Sequence, residues 1–310
     1  MGCVIRLRID LAYDGGAFYG WAKQPELRTV QGEIESALAR ILRTPADGPQ
    51  PRLVVAGRTD TGVHASHQVC HIDVDESALA SCVGHMDAPA EVALQRRLDR
   101  MLPDDIVIHR ISRAPEGFDA RFSALERTYV YRVRDAAVPM DPRLRGFVLR
   151  LDDELDVDAM NEAMAATIGL HDFGSFATPN PGGTTIREVK IARWDRVPVR
   201  PLVAYADETA RGSLGTPAYV TPAADSGLLT LTIVADAFAR NMVRSLVGAS
   251  IKVGQGKRSV AWFRDKVAEP KREGETGPIA PQGLTLEYVA YPPDDQLATR
   301  AEAIRAKRTL

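Results

Sequence analysis

The run Val54-Val55-Ala56-Gly57-Arg58-Thr59-Asp60-Thr61-Gly62-Val63-His64-Ala65-Ser66-His67-Gln68-Val69-Cys70-His71 places a short polar loop between two extended segments. The apolar residues Leu53 to Ala56 meet a turn signal at Gly57, and a mostly extended segment resumes after Gly62 towards Ile72. That pattern predicts a strand, a tight loop bounded by glycines, and a second strand. Arg58 and Asp60 sit at the loop tip. In an extended loop, residues two apart point the same way, so the guanidinium and the carboxylate can share one face. A neighbouring arginine favours the charged form of an aspartate, and the flanking glycines let a ligand approach the backbone closely. Taken by itself, the loop reads equally well as a surface turn carrying a solvated ion pair.

Upstream, Ile5, Leu7, Ile9 and Leu11 alternate with Arg6, Arg8 and Asp10, the period-2 signature of a half-buried strand over 6–12. Tyr13-Asp14-Gly15-Gly16 is a turn, Phe18-Tyr19-Gly20-Trp21 supplies aromatic area, and Thr29 is a plausible cap for a helix running to about Leu42. Downstream, Asp75 to Pro89 is rich in small residues and reads as a loop or insertion. Glu91 to Met101 carries a helical apolar stripe (Val92, Leu94, Leu98, Met101), and Val107 to Ile111 is a further strand.

The second half begins near Phe118 and is richer in strands. Arg127-Thr128-Tyr129-Val130-Tyr131-Arg132-Val133 alternates strictly, so Tyr129 and Tyr131 share a face while Arg132 points the other way. That face suits base stacking if it is open and core packing if it is closed. A helix is expected over 157–168, strands over 185–194, 228–234 and 284–289, a long helix from Phe238, and another over 259–267. Residues 179–184 read as a flexible loop. Residues 197–227, rich in Pro, Ala, Gly and Ser, read as an inserted loop with disorder in part. The expected boundaries are 1–118, 119–293 and a charged tail, 294–310, ending in a frayed helix. Both halves run strand, helix, strand, which hints at an internal duplication.

A chain of 310 residues with 45% hydrophobic and 26% charged residues fits an ordinary globular protein. Its apolar runs are shorter than the roughly 20 residues a spanning helix needs. The N-terminus lacks the apolar core of a signal peptide. Cys3, Cys70 and Cys82 have neither paired nor CxxC spacing, so a disulfide framework and a cysteine zinc site are not expected. The reading is a reduced, cytoplasmic protein. The formal net charge of −2 speaks against a nucleic-acid partner until its distribution is considered. Residues 226–272 hold nine Lys or Arg against three acids, whereas 152–162 hold six acids and no base. These are either solvated helix faces or a basic region able to hold an RNA backbone.

Gly57-Arg58-Thr59-Asp60-x-Gly62-Val63-His64 resembles the catalytic motif of the TruA family of tRNA pseudouridine synthases, with Thr61 where the family usually has alanine. Tyr13-Asp14-Gly15-x-x-Phe18-x-Gly20-Trp21 with Arg28-Thr29-Val30-Gln31 is similar to the family's N-terminal signature, although Ala22 replaces a frequent glutamine. Phe118-x-Ala120-Arg121-Phe122-Ser123-Ala124 followed by Tyr129-x-Tyr131, Gly169-Leu170-His171-Asp172-Phe173, and the segment from Phe238 to Gly248 extend the resemblance to most of the chain. It implies an α+β pseudouridine synthase fold: two related α/β halves, with mixed and mostly antiparallel strands, flanking a central catalytic cleft. It implies isomerisation of uridine to pseudouridine at positions 38, 39 and 40 of the tRNA anticodon stem-loop, by a homodimer that grips one tRNA. It implies Asp60 as the catalytic carboxylate and Tyr129 as the aromatic that stacks on the target uracil. Arg58 is then expected to enter the space the flipped base leaves, and Arg244 to pair with Asp60 from the other half.

The reaction breaks the C1′–N1 bond of uridine, turns the base and rejoins it through C5. It involves no redox change and no external nucleophile, so no cofactor and no metal are expected. Two other readings stay open. His64, His67 and His71 with Asp60 and Asp73 could serve a metal-dependent hydrolase, although His64 and His67 would face opposite sides of a strand. A non-catalytic RNA-binding protein could use the tyrosine strand as its platform.

Overall fold

A computed structural model describes residues 3–179, 183–200, 205–211, 217–220, 223–272 and 274–304, with the backbone alone over 205–211 and 217–220. Alternation builds the first strand, β1 (Val4–Tyr13), in which Leu7, Ile9 and Leu11 are fully buried. The Thr29 hydroxyl accepts the Gly32 N–H and starts helix α1 (Val30–Ile41). Next come β2 (Val54–Val55), β3 (His64–Asp75), α2 (Glu76–Ser81), α3 (Ala90–Met101) and β4 (Ile106–Arg113). The later part of the chain supplies β5 (Glu126–Arg134), β6 (Leu149–Arg150), α4 (Val157–Ala165), β7 (Gly169–Asp172), β8 (Ile186–Arg196), β9 (Tyr205–Arg211) and β10 (Pro217–Val220). It ends with β11 (Leu229–Ala235), α5 (Met242–Gly254), α6 (Val260–Ala268), β12 (Leu284–Ala290) and α7 (Leu297–Ile304).

Ten strands form one sheet in the order β4-β1-β3-β12-β5-β11-β8-β7, with β2 beside β3 and β6 beside β5. Pairing is antiparallel except for β12 with β3 and β5 with β6. The fold is α+β with a mixed, mostly antiparallel sheet, as expected. The strand near the C-terminus does not close an edge: β12 lies in the middle, joining the strands of the two halves.

Several local expectations are corrected. Residues 75–89 hold a short helix, because the Asp75 carboxylate accepts the N–H groups of Ser77 and Ala78 and caps α2. Within 197–227, β9 and β10 pair as an antiparallel hairpin, and the rest of that insertion lies in part outside the described residues. Residues 180–182 of the expected flexible loop also lie outside them. Helix α5 starts at Met242 and not at Phe238. The Asp236 carboxylate accepts the N–H groups of Glu188 and Ala237, turning the chain first, and Asn241 takes a left-handed φ of 63° before the helix. The tail helix α7 is docked through Leu297 and Ala301, both buried, where a frayed helix was expected.

Candidate active site

The loop between β2 and β3 is pinned from several directions. The Trp21 N–H donates to the Thr59 carbonyl (3.1 Å), the Gly62 N–H to the Phe18 carbonyl (3.2 Å), and the Val63 N–H to the Asp60 carbonyl (3.2 Å). The buried Thr59 hydroxyl bonds the Tyr13 hydroxyl at 2.7 Å, and the Gln68 amide donates to Tyr13 Oη (3.2 Å) and to the Gly57 carbonyl (2.9 Å). Gly20 has a φ of +87°, and a Cβ there would lie 2.8 Å from the Thr59 carbonyl oxygen. That position therefore requires glycine on both conformational and steric grounds. Thr59 is turned inward, and its neighbours Arg58 and Asp60 are left exposed and half-buried, respectively.

Asp60 meets the second half of the chain at the start of α5. Burial raises its carboxyl above the ordinary range, while the charges of Arg244 and Arg240 and a backbone hydrogen bond from Asn241 pull it down. Among the described residues neither Arg58 nor Arg244 forms an ion pair with Asp60. Arg244 is held in place: its Nε donates to the Ile279 carbonyl (2.6 Å), and its own carbonyl accepts the Ile279 N–H (3.2 Å). Burial lowers the Arg244 pKa, and the charge of Asp60 opposes that shift. Arg58 makes no hydrogen bond or ion pair among the described residues.

On β5, Arg127, Tyr129, Tyr131 and Val133 form the buried face. Tyr131 is fully buried on this face, whereas Tyr129 keeps a 7% exposed edge. Tyr129 is buried, edge-to-face with Phe238 at 5.2 Å and 89°. It opposes Leu286 on β12, which opposes Ala65 just past the Asp60 loop, so one strand, β12, separates Tyr129 from the strand that follows the loop. Burial pushes the Tyr129 hydroxyl up, with the charges of Tyr13 and Asp60 adding to it. The Tyr131 hydroxyl donates to the Ala280 carbonyl at 2.7 Å.

Arg127 is a residue that sequence reasoning missed. Its buried guanidinium donates to the carbonyls of Ala56 (2.7 Å), Arg121 (2.9 Å) and Asp236 (2.6 Å). It therefore ties the base of the Asp60 loop to the turn that leads into α5. The signal was available, since Arg127 shares its period-2 face with Tyr129 and Tyr131.

The three histidines are used separately. His64 accepts the Gly15 N–H at Nδ1 (3.1 Å), His67 pairs with Asp10 (3.1 Å) and stacks on Tyr288, and His71 accepts the Ala120 N–H (3.0 Å). Among the described residues no group of three His, Cys, Asp or Glu is placed to hold a metal ion. The basic stretch is partly neutralised by the acidic one: Lys257 pairs with Asp153 (3.5 Å) and Arg264 with Glu162 (3.0 Å). Arg258 pairs with Glu275. Among the described residues no helix is long and apolar enough to cross a membrane.

Residues 163–292 match a family model described as tRNA pseudouridine synthase. A Bifidobacterium longum protein named tRNA pseudouridine synthase A is 69% identical over 307 residues, covering 98% of this chain and 99% of that one. Proteins of the same name are 45% identical in Streptomyces griseus over 99% of this chain and 95% of that one, and 39% identical in Mycobacterium leprae over 98% and 96%.

Proposed function

The chain belongs to the tRNA pseudouridine synthase A family, and from that premise we propose how its own residues isomerise uridine in tRNA. The observation that carries the reading is a half-buried carboxylate, Asp60, on a hydrogen-bonded loop near Arg244 of α5 and Arg240 of the turn before it. The reaction needs one ionised carboxylate, as a nucleophile towards the sugar or as a base on it. Arg244 and Arg240 favour that ionised form against the burial that opposes it.

The target base must leave its stack, at a cost of a few kcal/mol, and an aromatic face recovers part of this. Tyr129 is the aromatic we assign, because only β12 separates it from the strand that follows the loop, and the Asp60 charge acts on its hydroxyl. Arg58, exposed at the loop tip, is assigned to the space that the base vacates. No step calls for a redox cofactor or a metal. The anticodon stem-loop at positions 38 to 40, a homodimer gripping one tRNA, boundaries near residues 118 and 293, and a cytoplasmic setting complete the proposal. The family resemblance supports them.

The test is pseudouridine mapping on an unmodified transcript with uridines at 38 to 40, with and without a chelator. The expected result is product at those positions under both conditions. Product elsewhere would overturn the assigned site, and loss of product with the chelator would return attention to His64, His67 and His71.

A further inference from the structure

A second charged feature lies in the first half, away from Asp60. The C-terminal ends of α1, α2 and α3 line a pocket of about 350 Å³ whose lining includes Arg40, Arg43, Arg97 and Arg100. The lining holds no carboxylate. All four arginines are exposed, and among the described residues none forms an ion pair. Of the four, only Arg97 makes a side-chain hydrogen bond among the described residues, from Nε to the Cys82 carbonyl (2.5 Å).

Helix dipoles account for part of this arrangement. Arg40 and Arg100 sit in the last turns of α1 and α3, where a cation is favourable. Arg97 spends its Nε on Cys82 at the end of α2, and Arg43 has no such reason. Arg43 lies beyond the end of α1 at a left-handed φ of 52°, and Arg97 is four residues before the end of α3. Four arginines line one pocket that no carboxylate lines, and each presents a planar fork of donors suited to phosphate oxygens. Exposed arginines elsewhere divide: Arg113, Arg258 and Arg264 have acidic partners, while Arg58 and Arg110 form no ion pair among the described residues, so what sets these four apart is that they line one pocket.

We infer that this pocket binds phosphates of the tRNA backbone outside the target loop. The inference rests on the tRNA-modifying reading above. The Val30 N–H donates to the Gly20 carbonyl beside the Asp60 loop, so α1 leads from the catalytic end of the half to the pocket. Its 12 residues span about 18 Å. That is on the order of five steps of a duplex at ~3.4 Å per step, so a helical arm that runs from the target loop alongside α1 would reach the arginines. The contact would raise affinity and fix register without reading sequence.

The test uses the triple variant Arg40→Gln/Arg43→Gln/Arg100→Gln in the full chain, which leaves the Arg97–Cys82 bond intact. Binding is measured against salt for a full tRNA transcript and for a hairpin carrying the target loop on three base pairs. The expected result is a roughly tenfold weaker Kd for the transcript and a log–log salt slope smaller by about one per lost contact. Hairpin affinity and kcat at saturating transcript stay unchanged, and the corresponding triple lysine variant recovers most of the loss. An unchanged transcript affinity overturns the assignment. Equal weakening of transcript and hairpin also overturns it, by exposing a general field effect in place of a local contact. Failure of the wild-type chain to bind or modify the transcript would count against the catalytic reading instead.

Discussion

Asp135 and Asp60 are both removed from water near arginines, yet their environments push them in opposite directions. Asp135 is fully buried, and Arg196 grips it with two hydrogen bonds of 3.0 and 2.7 Å. Burial raises its pKa, but Arg196 and backbone N–H groups, including that of Leu155, outweigh burial and the net shift is downward. Asp60 is less buried, has no ion pair among the described residues, and shifts upward. A carboxylate with every lone pair occupied is a strut, whereas one held near cations but not bonded to them keeps its electron pairs for a substrate. The signs differ for stability as well. The depressed pKa of Asp135 means that its contribution is complete above the unfolded value and is lost as pH falls through the folded one. The raised pKa of Asp60 means that its ionised form costs stability at neutral pH, and the cost fades on acidification.

The sharpest way to break this contrast is to remove each charge in turn. Asp60→Asn should give no detectable product in a pseudouridine assay, a loss of at least about 10³-fold. Its melting temperature should equal or exceed that of the wild type, and tRNA affinity should persist. An active Asp60→Asn enzyme would sink the catalytic assignment. Asp135→Ala should reverse the pattern. It should lose about 3 kcal/mol in urea unfolding, the lower part of the range for a broken buried pair because Arg196 retains access to water. Its kcat should be unchanged at a temperature where it is folded.

Much of this arrangement was legible in the sequence, and the misses have identifiable causes. Strands such as β1 and β5 were readable because one face is wet and the other dry, so the period shows. The placement of β12 between β3 and β5 was not, because pairing between distant segments leaves no local trace. Helix α2 escaped because its apolar content is small and its stability comes from the Asp75 cap. At the site, the motif marked the Asp60 loop, but a sequence cannot distinguish an arginine that is near from one that is bonded. Arg244 spends its Nε on Ile279. The charge runs have a similar limit: counting along 226–272 does not show that Lys257 and Arg264 pair with the acids at 153 and 162. The arginines of the first-half pocket are scattered through the sequence and converge when α1 and α3 pack.

Tyr129 offers a smaller effect that separates packing from stacking. Tyr129→Phe keeps the ring and its edge-to-face contact with Phe238, and should retain most of the activity. Tyr129→Leu removes the aromatic face, whose loss is worth about 1–3 kcal/mol per stacked base, so kcat/KM should fall roughly 5- to 150-fold. If Leu and Phe behave alike in kcat/KM, the tyrosine serves the core alone.

The mildest perturbation tests the cations around Asp60 by pH. Activity requires the ionised carboxylate, so kcat/KM should rise through the pKa of Asp60 in the free enzyme, above the usual aspartate value near 3.9. Arg244 is the largest of the forces opposing burial, and removing its charge with Arg244→Gln should move this acid limb to higher pH. Arg244→Lys keeps the charge while losing the planar Nε–Ile279 geometry, and should leave the limb near its wild-type position. Arg240 comes second among the opposing forces and is exposed, so Arg240→Gln should shift the limb in the same direction by less. Salt should erase the Arg240 difference first, since screening acts most strongly on exposed charges. A limb that ignores both arginines would mean that the titrating group is not Asp60, and the contrast with Asp135 would lose its functional half.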